Sequence, residues 1–379
     1  MKRAGPIGAA YVINNDPSGN SILASNIAED GTLTFGAVIP AGGIGLHGNN
    51  TNPDAGDPLF SQDAIKVVNG YLFTVNSGSN TAVMFKINPE NPSDLTMIGQ
   101  PVNSGGEFPV AVAVSEWGQV CVLNGGAVSN VSCFKADPSS GLMPMPNTIR
   151  ELPLNQTTPA SGPPGSASDI IFTSSYKLLV SVKGLSEDQP GYVAEWVVDP
   201  ATGELSQDFV KNTISTPGMN PFGMTQIPGR DAILNADPAV GYAIWDLTTV
   251  PATSNVVNVT GQMAICWSTY SASTDSFFLL DPAASQVVEI AIDGSLRGST
   301  VKQYQLAMGS GPLDGAVGSV AGKDYLYVLS AAMTAIDVFA LPSKGGAEPV
   351  QTFNVTTAFG KMAPVSSRDL QGMAVYVTA

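Results

Sequence analysis

The sequence predicts an all-β fold, a seven-bladed β-propeller built from four-stranded blades. The first observation is a short apolar strand that ends in a polar residue and recurs along the chain. Its copies lie at residues 10–16, 71–78, 119–126, 177–184, 231–237, 277–282 and 324–331. Seven copies in 379 residues give a spacing of about 54 residues, and strand-rich repeats of this length are typical of propellers.

The second observation is that each copy lies within a set of four predicted strands. An inner strand precedes it, a strand with alternating apolar residues follows it, and a more polar outer strand ends the set. Inner strands are predicted at 110–116, 169–175, 221–227 and 264–270, third strands at 81–88, 130–137, 192–199 and 286–293, and outer strands at 302–308 and 349–355. Turns rich in Asp, Pro and Gly separate them, because these residues adopt tight-turn dihedrals.

The third observation concerns the chain ends. The chain begins with a second strand, at residues 10–14, and finishes with a lone inner strand at residues 370–377. Joined, the two ends complete a seventh blade and remove an exposed sheet edge. No linker and no helical period interrupts the pattern, so we expect one domain spanning residues 1–379.

The composition limits the partners. The net charge is −15, and only 16 residues are Lys or Arg. Nucleic acids and anionic membranes need clustered basic residues, so both are excluded as expected partners. No run reaches the roughly 18 apolar residues of a membrane span. We expect a monomer that acts on a small molecule.

The cysteines favour an extracellular protein, with the cytoplasm as the alternative. Cys121 and Cys133 flank a hairpin turn, and they would form a disulfide if Asn124 lies opposite Asn130. Cys266 would remain a buried free thiol. Glycosylation sequons, which chance also produces in a chain rich in Asn, Ser and Thr, occur at Asn49, Asn130, Asn155, Asn258 and Asn354.

Two long segments do not fit any blade. They are residues 40–62 and 153–168, and each precedes an inner strand. Loops of this length are uncommon and often functional. Both are expected on the face where the second strands end.

That face gathers polar residues from every repeat, because propeller geometry brings second-strand ends and inner-strand starts to one channel mouth. Turn formation explains the asparagines, since Asn tolerates left-handed backbone. It does not explain Lys183, which must be paired or used in a crowded mouth. Asp169 and Asp237 are its candidate partners.

His47 is the only histidine, and it lies in the 40–62 segment. It is either a solvated loop residue or a general acid or base over the channel. One histidine excludes multi-histidine zinc sites. Residues 43–48 match GxGxxG, but no helix pattern follows, so no dinucleotide is expected. No cofactor is predicted; the oxygen-rich run 49–57 is a weaker candidate for calcium.

The tryptophans are predicted from their strands. Trp196 and Trp245 lie on third strands and are expected between blades, whereas Trp117 follows an inner strand in a turn that exposes it. Cys266 and Trp267 lie on the predicted inner strand 264–270 and are expected to pack in the core.

Several segments together resemble the lactonase-like seven-bladed propellers, in particular their uncharacterised members. They are GGIGLHG, VVNGYLFTVNSG, FPVAVAV, VCVLNGG, GSASDIIF, LLVSVKG, NPFGM, AILNAD, GQMAICW and GPLDGAV, and they cover nearly the whole chain. That family includes the 6-phosphogluconolactonases and the fungal carboxymuconate cyclases. The resemblance implies opening or closing of a small lactone ring in the channel mouth.

The catalytic set of the family does not carry over. Its enzymatic branches use His, Arg and Glu in the channel, whereas this chain carries Phe108–Pro109, Ser168–Asp169 and Asn220–Pro221 at the inner-strand starts. With only five arginines, a phosphorylated sugar is a poor substrate for this chain.

Two hypotheses follow. The first is a secreted, fungal enzyme that hydrolyses, isomerises or cyclises a lactone-type substrate. Lys183 would polarise the carbonyl, and Asp169 or His47 would move the proton. The substrate-binding set is Asn14, Asn76, Asn124, Asn235, Asp237, Phe222, Asp314 and Gln371. The second is a non-catalytic extracellular propeller that binds carbohydrate or a protein partner.

Overall fold

The computed structural model describes residues 5–52 and 55–378, and it confirms the seven-bladed propeller. Every blade is an antiparallel sheet whose strands follow one another from the channel outward. In blades 1 to 3 the strands are Ile65–Val68, Tyr71–Asn76, Thr81–Ile87 and Leu95–Asn103; Pro109–Val114, Gln119–Asn124, Asn130–Asp137 and Gly141–Pro144, with Arg150–Glu151 added to the third strand; and Ala167–Phe172, Lys177–Val182, Tyr192–Val197 and Val210–Thr213.

The remaining blades repeat this order. In blades 4 to 6 the strands are Met224–Gln226, Ala232–Asp237, Gly241–Asp246 and Thr253–Asn258; Trp267–Ser271, Ser276–Asp281, Gln286–Ile292 and Gly298–Gln305; and Pro312–Val320, Lys323–Ser330, Ala335–Leu341 and Glu348–Asn354. Helical structure in the described residues is limited to the 3₁₀ turn Ala331–Met333 and the α-helix Val355–Phe359. None of the helices described could cross a membrane.

Blade 7 is closed by both chain ends. Leu370–Val377 is its inner strand, and Gly8–Asn14, Ser21–Ile27 and Leu33–Pro40 follow outward. The inner strand pairs antiparallel with the first strand of the chain. The predicted closure is therefore confirmed.

The apolar side chains of successive blades pack against one another. Trp196 and Trp245 are fully buried on the third strands of blades 3 and 4, as predicted. Cys121 and Cys133 lie opposite each other in blade 2 and form a disulfide, and Cys266 is a buried free thiol. The predicted disulfide and the predicted buried free thiol are both confirmed.

One predicted strand boundary is wrong in a way that matters for function. The inner strand of blade 5 begins at Trp267, not at residue 264. The backbone N–H groups of Met263 and Ala264 instead donate to the carboxylate of Asp281, at 2.8 and 2.9 Å. Because a side chain satisfies these groups, the segment before Trp267 leaves the sheet and turns Cys266 toward a cavity.

Candidate active site at the front face

The propeller has two unlike faces. We call the face where second strands end and inner strands begin the front face, and the opposite one the back face. The described parts of both long segments lie at the front, as predicted, and they meet there: Asn49–Asn50 pairs in parallel with Ser161–Gly162. The parts of the two segments around this pairing form a common roof over the channel mouth.

Below this roof, residues 57–63 enter the channel, and we call them the plug. The plug precedes the inner strand of blade 1 and is hydrogen-bonded to the six other blades. These bonds are Ser61 Oγ to Val110 O (2.8 Å), Gln62 N to Ser168 O (2.8 Å), Gln62 Nε2 to Met224 O (3.3 Å), Trp267 Nε1 to Ser61 O (3.0 Å), Asp63 N to Asp314 Oδ2 (3.2 Å) and Gln371 Nε2 to Ser61 O (2.6 Å). The plug thus ties the whole ring together.

The backbone of the plug is held in an uncommon conformation. Asp57, Phe60 and Asp63 have φ values of 61°, 56° and 61°, in the left-handed region that non-glycine residues rarely adopt. Two glycines of the roof allow it to close on Phe60, since a Cβ on Gly48 or Gly162 would lie 2.4 or 2.8 Å from that ring. Backbone strain of this kind is typical of functional segments.

The plug separates two cavities of equal size. The front cavity and the back cavity each measure about 350 Å³. Asp57 and Phe60 of the plug line the front one, whereas Gln62 and Asp63 line the back one. A cavity of this volume accommodates a small organic molecule.

The front cavity is largely apolar. Its wall consists of Asn50, Ala55, Gly56, Asp57, Phe60, Pro163, Pro164, Lys183, Asn220, Phe222, Pro238, Ala264, Cys266, Trp267, Pro282, Gly311, Leu313, Ala331 and Ala332. Lys183 and Asp57 are the charged side chains in this set. Lys183, which the sequence singles out, is thus a buried residue in the wall of this cavity.

Lys183 follows the second strand of blade 3 and is almost fully buried. Its Nζ donates to Phe60 O (2.8 Å), Ser166 Oγ (3.1 Å) and Ala167 O (3.3 Å). The same atom lies 4.4 Å from the centre of the Phe222 ring, a cation–π contact. Lys183 thus joins the plug to blade 3 and forms part of the wall of the front cavity.

Asp57 is the acid that shares this cavity. Its Oδ1 accepts a hydrogen bond from the N–H of Ser61 at 3.2 Å. Burial raises the pKa of Asp57 to about 7, although the charge of Lys183 and the hydrogen bonds from Ser61 and Gln371 act in the opposite direction. The carboxyl group therefore gains and loses its proton near neutrality.

Lys183 is shifted in the other direction. Burial lowers the pKa of its ammonium group to about 7, while the charges of Asp57, Cys266 and Asp169 oppose the shift. Burial also raises the pKa of the Cys266 thiol well above its usual value, so that this sulfur stays protonated. The front cavity thus contains an acid and a base that both exchange protons near pH 7, a combination typical of catalytic sites.

The predicted partners of Lys183 are wrong. Among the described residues, no carboxylate forms a direct ion pair with it. Asp169 accepts hydrogen bonds from the N–H groups of Ile170 (2.7 Å) and Met224 (2.6 Å), which hold it on the channel wall. Asp237 accepts from the N–H groups of Met219 (2.8 Å), Asn220 and Ala239, and closes a turn.

His47 lies beside the front cavity rather than in it. Its Nε2 is 2.7 Å from Asp369 Oδ1. It lines an adjoining cavity of about 230 Å³ under the roof, and Asp57 and Phe60 form part of the wall of both cavities. The structure therefore brings His47 close to the acid of the site but not to Lys183.

Most of the predicted substrate-binding residues hold the fold together instead. The amide of Asn14 donates to Pro364 O, that of Asn76 to Ala41 O, that of Asn124 to Ser104 O and that of Asn235 to Phe222 O and Gly223 O. Asp314 bonds to the plug from the back, and Gln371 supports the plug at Ser61. Of the eight predicted side chains, only Phe222 lines the front cavity.

The sequence pattern contained no direct signal for Asp57. This residue appears there only within the oxygen-rich run 49–57, a candidate calcium site, and its position opposite Lys183 depends on the fold of the plug. Pro53 and Asp54 of that run lie outside the described residues. Elsewhere in the described chain, no three His, Cys, Asp or Glu side chains are arranged to hold a metal ion.

The back cavity has a different charge arrangement. Lys66 Nζ forms an ion pair with Asp63 Oδ2, and this lysine is about one-third exposed. Burial lowers the pKa of Lys66, but Asp63, Asp169 and Asp314 more than offset it and keep that pKa raised. Burial, together with the charge of Asp63, raises the pKa of Asp314 to about 8 and that of Asp169 well above its usual value.

Comparison with known proteins identifies the fold. No family model matches this chain, and no curated protein matches its sequence. A solved structure of a protein from Lactobacillus plantarum is similar over 98% of this chain and 99% of its own, with 13% identity and a TM-score of 0.69.

Two other similar structures carry descriptions of activity. The periplasmic gluconolactonase of Pseudomonas aeruginosa matches 96% of this chain and 98% of its own, with 15% identity and a TM-score of 0.65. A candidate 6-phosphogluconolactonase from Bacteroides fragilis matches 98% of both chains, with 12% identity and a TM-score of 0.66. At the level of fold, the resemblance to the lactonase-like seven-bladed propellers is therefore confirmed.

Proposed function

We propose that this protein is a hydrolase of small, largely apolar lactones and that the front cavity is its active site. The observation that carries the proposal is the position of Lys183 and Asp57 in one largely apolar cavity without a direct ion pair between them. The fold shared with lactonases supports it.

The wall of the cavity indicates the class of substrate. Phe60, Phe222, Trp267 and Leu313 offer apolar surface to a ring or an alkyl chain. No Arg is part of this wall, and its single Lys is already bonded to three protein oxygens. A phosphorylated or highly hydroxylated lactone would leave most of its polar groups unpaired there, which is costly.

The two charged side chains suit hydrolysis. The ionised carboxylate of Asp57 accepts a proton from a water molecule as its oxygen attacks the lactone carbonyl carbon. Negative charge then develops on the carbonyl oxygen, and the Lys183 ammonium stabilises it. The longest of the Lys183 contacts, 3.3 Å to Ala167 O, is the one that the substrate oxygen would share.

Collapse of the tetrahedral intermediate completes the reaction. The bond between the carbonyl carbon and the ring oxygen breaks, and protonated Asp57 returns its proton to that oxygen. The product is the open hydroxy acid. If Asp57 instead removes a proton next to the carbonyl, an enolate forms with Lys183 near its oxygen, and return of the proton from Asp57 to another carbon of the enolate system would isomerise the substrate.

A panel of γ- and δ-lactones with alkyl or aryl substituents tests the proposal, with pH-indicator detection of the released acid. We expect hydrolysis by the wild type and at least a 100-fold lower kcat/KM for Lys183→Ala. Lys66→Ala is the matched control, since it removes the other channel lysine. Equal activity of wild type and Lys183→Ala, with both proteins folded by thermal unfolding, would overturn the proposal.

One observation favours a second candidate, a non-catalytic binding protein. All three hydrogens of the Lys183 ammonium already have protein acceptors, as in a structural lysine. In that case an apolar lactone would bind in the front cavity with a measurable heat but without turnover. Isothermal titration beside the activity assay separates the two candidates.

We also propose that the protein is secreted, as a glycoprotein of a fungus. The disulfide Cys121–Cys133 supports an oxidising compartment, and the Pseudomonas relative is described as periplasmic. Asn155 and Asn258 are exposed, as glycan attachment requires, whereas Asn130 is buried and bonded to Gly105 O. Mass spectrometry of the protein purified from its source would detect glycans at Asn155 and Asn258 and none at Asn130.

A further inference from the structure

The back face carries an aromatic cluster that the proposed hydrolase does not use. Trp117 and Tyr176 lie in the turns that follow the inner strands of blades 2 and 3, and they are 44% and 41% exposed. Their ring centres are 4.9 Å apart with an angle of 33° between the planes. Phe172 supports Trp117 from the side, at 5.5 Å. We call these three residues the aromatic platform.

The backbone at Tyr176 shows that an aromatic side chain is costly there. The turns of blades 2 and 3 have the same hydrogen bonds: Gly118 N to Ser115 O (3.1 Å) in one, and Tyr176 N to Thr173 O (3.2 Å) in the other. Gly118 has φ +87°, as suits glycine, whereas Tyr176 has φ +59°. A bulky residue in this left-handed region is strained by about 1 kcal/mol or more.

Strain that the fold does not need points to a role for the side chain. Glycine forms the same turn in blade 2, so neither the turn nor the sheet requires tyrosine in blade 3. The Tyr176 ring is 41% exposed, and it packs against Trp117 with a tilt of 33° between the ring planes, so that the two rings present one continuous aromatic surface to solvent. Broad aromatic surfaces with one wet side are typical of binding sites.

The surroundings indicate which kind of molecule would bind. Phe172 connects the platform to the back cavity, whose wall includes the polar side chains of Gln226, Thr225 and Thr269. Near the platform, Lys177 is already paired with Glu195 and Asp231, at 3.2 and 3.3 Å. In the wall of the back cavity, Lys66 is paired with Asp63; together with the net charge of −15, these pairings leave little to attract an anion. Flat aromatic rings beside hydroxyl and amide groups fit a neutral sugar, whose ring has an apolar C–H face and polar edges.

We propose that the aromatic platform binds a neutral carbohydrate chain, with one sugar ring packed against the exposed parts of Trp117 and Tyr176 and the next directed toward the mouth of the back cavity. This site lies on the opposite face from Lys183 and Asp57, beyond the plug. It does not depend on the proposed lactone chemistry. Its role would be to hold the protein on a polysaccharide.

Intrinsic fluorescence provides the test, because Trp196, Trp245 and Trp267 are buried and Trp117 is the exposed tryptophan. The full-length protein is titrated with cellohexaose, laminarihexaose and chitohexaose. We expect at least one of them to shift the emission in a saturable way. Trp117→Ala should abolish that shift, and calorimetry should show an affinity for the same sugar that is at least about tenfold lower.

A second variant, Tyr176→Gly, separates a loss of sugar binding from a loss of folding. Glycine relieves the left-handed strain, so this variant should be at least as stable as the wild type while its affinity for the sugar falls by about tenfold. Asp275→Gly is the matched control, since Asp275 also precedes a second strand, in blade 5, with φ +47°. It should bind the sugar like the wild type.

Three results would overturn the proposal. They are no response to any of the three hexasaccharides, unchanged affinity in both platform variants, or a response without saturation. A fourth would reassign the surface: self-association of the wild type in sedimentation, lost in Trp117→Ala, with no response to sugars. Lactone hydrolysis should be the same in Trp117→Ala and wild type, so that failure of either proposal can be recognised separately.

Discussion

The front and back cavities have the same volume and each contains a lysine near carboxyl groups, but their charges are arranged differently. In the back cavity Lys66 forms a direct ion pair with Asp63, with Asp169 and Asp314 close by. In the front cavity Lys183 has backbone and hydroxyl partners, and Asp57 interacts with it without direct contact. The pKa of Lys66 is consequently raised, and that of Lys183 is lowered.

This difference shows what makes a buried lysine available for chemistry. A direct carboxylate partner stabilises the ammonium form and keeps the proton in place, as for Lys66. Where the lysine has apolar surroundings and the carboxyl group lies at a distance, the protonated and deprotonated forms of each group are close in free energy near pH 7. This is the arrangement of Lys183 and Asp57. Residue type alone does not distinguish the two sites.

The largest effect is expected from the acid of the front cavity. Asp57→Asn removes the proposed base and should lower kcat/KM for a lactone by about 100-fold or more. Asp169→Asn is the control from the channel wall, and it should retain activity within about fivefold because Asp169 bonds to backbone rather than to substrate. Steady-state kinetics of both variants at pH 7 makes the comparison. A greater loss in Asp169→Asn than in Asp57→Asn would reverse the assignment.

The next effect is expected on stability, at the plug that separates the two cavities. Gln371→Ala removes one of the two side-chain hydrogen bonds to Ser61 O, the other being donated by Trp267 Nε1, and should lower the free energy of unfolding by about 0.5–1.5 kcal/mol, the usual net contribution of one hydrogen bond. Urea denaturation measures it. The half-buried Gln156→Ala, which removes bonds within the roof only, should cost less.

How well the sequence predicts a feature of this molecule depends on how far apart in the chain its contacting residues lie. The blades follow from the strand repeats, and Lys183 stands out because it replaces Asn or Asp at the end of a second strand. Asp57 does not stand out, because the left-handed turns at Asp57, Phe60 and Asp63 that carry the plug into the channel depend on contacts with all the other blades. Asp169 and Asp237 were attractive partners for Lys183, yet backbone N–H groups engage their carboxylates.

A smaller effect is expected on the pH dependence of stability, and it arises from a carboxyl group of the back cavity. The pKa of Asp314 is raised to about 8 in the folded chain, so the folded state binds this proton more tightly than the unfolded state does. Stability contributed by the protonated form is therefore present below the unfolded pKa and is lost as the pH rises from about 4 to 8.

Asp314→Asn tests this sign. The wild type should unfold at a higher urea concentration at pH 5 than at pH 8, and the variant should show a smaller difference, by about 1 kcal/mol or more. Greater stability of the wild type at pH 8 than at pH 5, unchanged in the variant, would contradict the raised pKa.

The smallest effect is expected at the cation–π contact. Phe222→Leu removes the ring face next to Lys183 Nζ and should lower the pKa of Lys183 further, because a contact of this kind stabilises the ammonium form by about 0.5–2 kcal/mol. Nitrogen-15 NMR of the lysine side chains can follow this titration. The signal of Lys66 should be unchanged, and a rise in the pKa of Lys183 would contradict the role given to the ring.

The pH dependence of lactone hydrolysis tests the central claim most directly, that Asp57 and Lys183 act as a pair. Hydrolysis needs ionised Asp57 and protonated Lys183, and both groups titrate near 7. We therefore predict a narrow bell-shaped profile of kcat/KM centred near neutrality for the wild type, whose two limbs belong to the pair. In Asp57→Asn the residual activity should lose the rise on the acid side. A wild-type rate that is flat from pH 5 to 9, or that rises steadily to pH 10, would contradict the account.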